Sequence, residues 1–280
     1  MKMNNILTRS LTGAIFISII LIPLFFSEII SILVLGLFMS IGIIEFYKLF
    51  NKAEFVNTNW VAGLFFSVLS YVIISSILFS LLPLETFYIL FPTLYSLIII
   101  EIWRKKTNPL INSASLIFGI IYITLPFILM VSILKIDMQK DNNTIPILAG
   151  MFILTWINDT FAYLLGSILG KRKLFKRISP NKTWEGTLSG AFCSIIFGII
   201  IGYLFDPTNM FFWFITGVII PPCGVLGDLM ESMFKRDVDI KDTSNIMPGH
   251  GGILDRFDST FFVVPFFFTW TIIYFLFNIY

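Results

Sequence analysis

Nine stretches of this chain are apolar and nearly free of charge: 10–27, 29–47, 60–82, 84–103, 110–134, 145–170, 187–205, 211–229 and 259–279. About 20 apolar residues in a helix, at about 1.5 Å each, cross a hydrocarbon core of about 30 Å. So many apolar segments of that length cannot share one soluble core. The composition agrees, with 57% of residues hydrophobic and only 13% charged, against about 45–50% and about 25% in soluble domains. A soluble enzyme, a disordered chain and a disulfide scaffold are excluded. The expected fold is an all-α integral membrane protein of about nine transmembrane helices. The first two stretches are separated by little more than Glu28 and predict a tight hairpin. The first follows Lys2 and Arg9 as a signal peptide would, but no A-x-A site follows, so a retained span is expected.

Charge predicts the orientation. If the spans alternate from a cytoplasmic N-terminus, 17 of the 19 Lys and Arg residues fall on inner segments, and only Lys135 and Lys140 fall outside. Cytoplasmic loops carry such an excess. The N-terminus is therefore expected inside, the C-terminal Tyr280 outside, and the polar loops 171–186 and 230–258 in the cytoplasm. The net charge of +2 gives no pull toward nucleic acid, and Cys193 and Cys223 have no metal-type spacing. Residues 1–143 have few polar groups within their spans and are expected to serve as scaffold and lipid-facing surface. Residues 144–280 are expected to hold the chemistry.

Asp159 lies well inside the sixth stretch, where a carboxylate costs about 2.5–3.5 kcal/mol on insertion scales. Thr155, Asp159, Tyr163, Gly166 and Gly170 share a helix face at steps of three or four. Two explanations stand: a structural pairing with a neighbouring helix, or the wall of a polar cavity. In the following loop, Lys171 to Arg177 suit a topology signal and a grip on anionic lipid. Ser179-Pro180-Asn181-Lys182-Thr183-Trp184-Glu185-Gly186 suits a helix start, with Asn181 or Thr183 as cap, and Lys182 beside that terminus suits a phosphate. Gly186, Gly190, Ser194, Gly198 and Gly202 recur at a step of four, which lets helices approach closely, within the chain or across a dimer.

The segment after the eighth stretch is the richest in polar chemistry. Asp228, Glu231, Ser232, Lys235, Arg236, Lys241 and Asp242 precede the turn Pro248-Gly249-His250-Gly251-Gly252, and Asp255-Arg256-Phe257-Asp258 follows. Asp255 and Asp258 are one helical step apart, and Asp228 can join them from a facing helix end. Carboxylates without His or Cys company favour a hard cation such as Mg²⁺. Lys235, Arg236, Lys241 and Arg256 add positive charge, and the glycines expose backbone N–H groups to phosphate. Taken one at a time, His250 suits a structural hydrogen bond, and Asp237, Asp239 and Asp242 suit solvated loop charges. Those explanations account poorly for the concentration of nine of the 17 acids between Asp159 and Asp258 on the inner face or in helices leading to it.

Taken together, Ser232, Lys235, Arg236, Lys241, Asp242, Ser244, Pro248, His250, Gly251, Gly252, Asp255, Arg256 and Asp258 resemble the signature of the phosphatidate cytidylyltransferases, or CDP-diacylglycerol synthases. Met247 departs from the usual Leu, Ile or Phe but keeps apolar bulk. The blocks Asn158 to Tyr163 and Ser179 to Gly186 are also similar to that family, so the resemblance covers roughly 155–260. It implies a membrane enzyme of phospholipid biosynthesis that joins CTP and phosphatidate into CDP-diacylglycerol and pyrophosphate. It implies Mg²⁺, with Asp228 and Asp255 matching the metal-binding carboxylates, Asp258 beside them, and a monovalent cation such as K⁺. It also implies a homodimer in a bacterial plasma membrane with the site facing the cytoplasm. The expected catalytic residues are Asp228, Asp255, Lys235 and Arg256. The expected substrate-binding residues are Ser179, Lys182, Arg236, Lys241, His250, Gly251, Gly252 and Asp159. A coupled transporter also fits an intramembrane Asp159, but inverted halves with broken helices are not evident. The Asp-Gly-x2-Ala-Arg motif of the CDP-alcohol phosphatidyltransferases is absent.

Overall fold

The computed structural model describes residues 2–137, 144–244, 246–247 and 251–277. Among the described residues the regular structure is helical except for one short hairpin and an isolated bridge between Met247 and Gly251, as expected of an all-α integral membrane protein. Eight helical segments among the described residues are long and apolar enough to cross a bilayer, and Ser10–Phe26 forms a shorter apolar one. Two compact units are formed. The first comprises Met1–Lys135 with Asp237–Arg256, and the second comprises Ile136–Arg236 with Phe257–Tyr280. The units do not follow a division at residue 143, because 237–256 belongs with the N-terminal helices.

The first unit contains α1 (Lys2–Phe26), α2 (Glu28–Phe50), α3 (Trp60–Leu78) and α4 (Leu90–Arg104), with a 3-10 turn Leu84–Ile89 before α4. It continues with α5 (Pro109–Gly119), a π-helical turn Ile120–Thr124 and α6 (Leu125–Asp137). Ser27 breaks the chain between α1 and α2 and caps α2 by accepting from Ile30 N. The expected hairpin follows, with the Phe16 and Phe38 rings 5.6 Å apart. The buried Tyr47 is central to the packing. Its hydroxyl donates to Leu116 O at 2.8 Å, and its ring lies against Gly63 and Gly119, where any Cβ would overlap it. The π turn ends two residues before Pro126, which has no N–H to continue the α-helical ladder.

The second unit contains α7 (Ile147–Leu169), β1 (Lys173–Phe175), β2 (Ser179–Thr183), α8 (Trp184–Phe205), α9 (Met210–Asp237) and α10 (Leu254–Phe277), whose first three residues belong to the first unit. Strands β1 and β2 pair antiparallel. The small residues of α8 are consumed within the chain. A Cβ on Gly186 would sit 2.6 Å from Ala162 O, and one on Gly190 2.6 Å from Asn158 O, so this half of the stripe packs on α7. A Cβ on Gly198 would meet Trp213 O at 2.5 Å, and one on Gly202 would meet Met210 Cα at 2.9 Å, so the other half packs on α9.

The polar stretch 230–258 is less of a loop than its composition suggests. Helix α9 continues to Asp237, which places Glu231, Ser232, Lys235 and Arg236 on its last turns, and α10 already begins at Leu254. Helical spacing continues across the polar residues because Glu, Met, Lys and Arg are all good helix formers.

Candidate active site

Two close helix approaches build the centre of the second unit. A Cβ on Gly227 would lie 2.5 Å from Asp258 O, so the Cα hydrogens of Gly227 bring α9 against the first turns of α10. Gly190 does the same for α8 and Asn158 of α7. Asn158 is buried, donates from Nδ2 to Asp159 Oδ1 at 3.1 Å, and has no hydrogen-bond partner for its Oδ1 among the described residues. Asp159 accepts from Ser259 Oγ at 3.2 Å. Asp258 accepts from Ser259 N at 2.8 Å, and Asp228 accepts from Ser232 Oγ at 3.2 Å.

Carboxylates from α7, α9 and α10 thus share one electrostatic neighbourhood. Asp258 is repelled by Asp228 and Asp159 and attracted by Lys235. Asp159 and Asp228 also repel each other, which Lys182 offsets. The Lys182 ammonium lies 2.5 Å from Asp228 Oδ2, and Lys235 lies 3.0 Å from Glu231 Oε1 one turn away on α9. Glu231 is fully buried.

The β-hairpin sets the position of Lys182. Thr183, not Asn181, caps α8 by accepting from Gly186 N at 3.2 Å. Gly166 and Gly170 leave room for Thr183 beside the end of α7. Glu185 turns back from the first turn of α8 and accepts from the backbone N–H groups of Lys171 and Arg172 at 3.0–3.2 Å. Trp184 N donates to Arg172 O. Lys182 is held one residue before a helix cap and directed to Asp228. Ser179 starts β2, opposite Phe175. Of the expected polar face of α7, Asp159, Gly166 and Gly170 are used here, whereas Tyr163 is exposed.

The described residues between α9 and α10, here the signature loop, belong to the first unit, and Asp255 ties several of them together. Asp255 Oδ2 accepts from Gly252 N at 2.8 Å, Thr243 N at 3.0 Å and Thr243 Oγ1 at 2.9 Å. Gly251 has φ +81°, and a Cβ there would approach that same oxygen to 2.5 Å. Glycine is required on both counts. A buried glutamate of α2 holds the same loop. Glu45 accepts from Leu254 N at 2.7 Å and from Ser244 Oγ at 2.5 Å. Arg256 has a buried Nε without a hydrogen-bond partner among the described residues. Arg236 and Lys241 are exposed. His250, with Pro248 and Gly249, lies outside the described residues, as does Tyr280.

Asp159, Asp228 and Asp258 come together with Lys182 and Lys235 in one unit. Asp255, Arg256, Gly251 and Gly252 come together in the other. Among the described residues, no three His, Cys, Asp or Glu side chains converge as a ready metal cage. The donor set still suits Mg²⁺, which binds through one or two carboxylates and completes its shell with water and substrate phosphate. The lysine cation on Asp228 shows that this oxygen already faces positive charge. Sequence reasoning missed Glu45. Its only trace is a glutamate inside an apolar stretch, three residues before Lys48, where it resembles an ordinary interfacial charge.

The whole arrangement has relatives. The family model described as "Cytidylyltransferase family" matches residues 7–274. A phosphatidate cytidylyltransferase of Staphylococcus aureus (strain COL) is 53% identical over 116 residues, 41% of this chain and 44% of that protein. Those of Staphylococcus haemolyticus and Staphylococcus epidermidis are 48% and 46% identical over 115 residues, with the same coverage of each chain. The chain thus spans less than half the length of each of these relatives in the matched stretch. The family match covers nearly every residue, both the N-terminal helices and the carboxylate cluster, and the chain belongs to the cytidylyltransferase family.

Proposed function

We propose that the protein condenses CTP with phosphatidate to give CDP-diacylglycerol and pyrophosphate, at the cytoplasmic face of a bacterial plasma membrane. The observation that carries this reading is the clustering of Asp159, Asp228 and Asp258 with Lys182 and Lys235 where otherwise apolar helices meet. The names of the staphylococcal relatives support the same substrates. The excess of Lys and Arg on one set of segments supports the cytoplasmic face, with the N-terminus inside and the C-terminus outside.

The chemistry asks little of a general base, because the nucleophile is a phosphate oxygen of phosphatidate, already anionic at neutral pH. That oxygen forms a bond to the α-phosphorus of CTP, and the bond from that phosphorus to the pyrophosphate oxygen breaks. The barrier is repulsion between two polyanions plus the charge gathering on the leaving group. Lys182 and Lys235 reduce the first, and Arg256, whose Nε awaits an acceptor, suits the second. Asp228 and Asp258 would hold Mg²⁺, which supplies electrostatic stabilisation of phosphoryl oxygens when bound, and Asp255 belongs to the same metal proposal on the strength of the family resemblance. Asp159, whose repulsion with Asp228 is offset by Lys182, would hold a cation or a basic partner where the lipid phosphate enters. Ser179, Arg236, Lys241, Gly251, Gly252 and His250 complete the proposed substrate contacts. A monovalent cation and a homodimer belong to the same proposal and rest on the family resemblance.

The test is purified protein with CTP, phosphatidate and Mg²⁺, following pyrophosphate release and the lipid product by mass spectrometry. Product formation with phosphatidate and none with diacylglycerol, which lacks the attacking phosphate, is the expected result. Equal turnover of diacylglycerol would refute the assignment.

A further inference from the structure

Glu45 lies in the C-terminal third of α2, only 3% exposed, and none of the charged residues of the signature loop is adjacent to it in sequence. A carboxylate at such a place is costly unless its oxygens are satisfied. Both are satisfied by the loop that carries the family signature. Oε2 takes the N–H of Leu254, the first residue of α10, and Oε1 takes the hydroxyl of Ser244. The two donors are ten positions apart in the sequence, and one side chain holds both. The first N–H groups of a helix have no partner inside the helix, and a carboxylate there also meets the positive end of the helix dipole. Gly252 is the third part of the arrangement. A Cβ on it would lie 2.4 Å from Thr243 Oγ1 and 2.6 Å from both Glu45 oxygens, so a larger residue there would displace the Glu45 carboxylate or the Thr243 hydroxyl. Asp255, next along the helix, ties Thr243 and Gly252 from the other side.

From this geometry we infer that Glu45 is a positioning residue: a clasp from the N-terminal helices that fixes the signature loop and the start of α10, and through them the orientation of Asp255 and Arg256. The N-terminal half is then part of the catalytic machinery rather than passive scaffold. The chemical consequence rests on the proposed cytidylyltransferase reaction, while the clasp itself is independent of it.

The variants Glu45→Ala and Glu45→Gln separate the two. Alanine removes both acceptors. Glutamine can still accept from Leu254 N through its carbonyl while its amide donates to Ser244 Oγ, which is also able to accept. Hydrogen exchange of the purified full chain, read on peptides covering 252–256, reports the clasp without reference to any activity. In Glu45→Ala, exchange there should accelerate at least about 10-fold, the loss of one helix-capping hydrogen bond to a charged group, while peptides from α7 and α8 keep their protection. Turnover of CTP and phosphatidate should fall about 10²-fold, as misplacing catalytic groups by about 1 Å does. Most of this loss should be in kcat rather than in KM for CTP. Glu45→Gln should keep the local protection and recover most of the turnover. Unchanged exchange at 252–256 in Glu45→Ala would overturn the clasp. Accelerated exchange across α7 and α8 as well would reduce Glu45 to a general structural residue, and so would equal losses in Glu45→Gln and Glu45→Ala. An inactive wild-type protein whose Glu45→Ala variant shows the local exchange change would refute the reaction and leave the clasp standing.

Discussion

Two glycines on one helix, three residues apart, offer a steric test of the site. A Cβ at Gly224 would meet Ser259 Cβ at 3.6 Å and Asn158 Nδ2 at 3.8 Å, ordinary van der Waals contact. A Cβ at Gly227 would meet Asp258 O at 2.5 Å and Ser259 Cα at 3.1 Å, both backbone atoms that cannot swing away. The lower limit for a carbon against a carbonyl oxygen is about 3.3 Å, so Gly227→Ala forces α9 and α10 apart by about 0.8 Å. Asp228 and Asp258 ride on those two backbones. Alanine in a helix gains about 1 kcal/mol over glycine, and overpacking costs about 1–3 kcal/mol. Gly224→Ala should therefore be neutral or stabilising, and Gly227→Ala should lose up to about 2 kcal/mol. The effect on turnover should be larger than the effect on stability, because a shift near 1 Å at a reacting centre costs about 10²-fold. The assay is pyrophosphate release for both variants beside their thermal midpoints in one detergent. Gly227→Ala with turnover within twofold of Gly224→Ala would refute the claim that this approach sets the site.

Lys182→Met removes the cation beside Asp228. The pair is partly solvent-exposed, with 24% and 32% of the two side chains accessible, so stability should change by no more than about 1 kcal/mol. Turnover should nevertheless fall by at least about 10²-fold, measured as initial rate at saturating CTP. Asp255→Ala removes the acceptor of three hydrogen bonds at the start of α10 and should cost about 3 kcal/mol of stability, read from the thermal midpoint. A cysteine placed at Ile246, which is 56% exposed, in a background without Cys193 and Cys223, should react with an impermeant thiol reagent only from the cytoplasmic side. Reaction only from outside would reverse the proposed orientation.

The spans were legible because bilayer thickness imposes a length and an apolar composition that the sequence must satisfy locally. The start of α8 was legible for the same kind of reason: its cap lies within three residues of the amide it serves, although Thr183 and Asn181 could not be separated until the backbone was in place. The step of four along Gly186, Gly190, Ser194, Gly198 and Gly202 announced close packing but not its partners. The stripe turns out to serve two helices in succession, α7 and then α9. Two features left no periodic trace. The hairpin of β1 and β2 is three and five residues long, within a run of basic residues that satisfies a charge explanation by itself. The bonds of Glu45 to Ser244 and Leu254 join positions 199 and 209 residues apart, and no local pattern encodes a pairing at that distance. Asp255 shows how a sequence expectation and a structural role can lie on one side chain. Its spacing to Asp258 suggested a ligand, and the structure adds that one of its oxygens already folds the signature loop.

The central claim is that the carboxylate cluster of the second unit, rather than the acidic loop residues near it, carries the chemistry. Asp228→Asn keeps the shape of the side chain and its bond from Ser232, while it removes the charge that faces Lys182 and Asp258. Asp237→Asn removes an equal charge from the exposed end of α9. Initial rates of pyrophosphate release from CTP and phosphatidate, titrated with Mg²⁺ to saturation, compare the two directly. The account predicts that Asp228→Asn stays at least about 10²-fold below wild type at every Mg²⁺ concentration, the scale of losing a principal charge stabiliser, and that Asp237→Asn matches wild type. Near-normal turnover of Asp228→Asn at saturating Mg²⁺ would contradict it and leave these carboxylates as structural partners of the lysines.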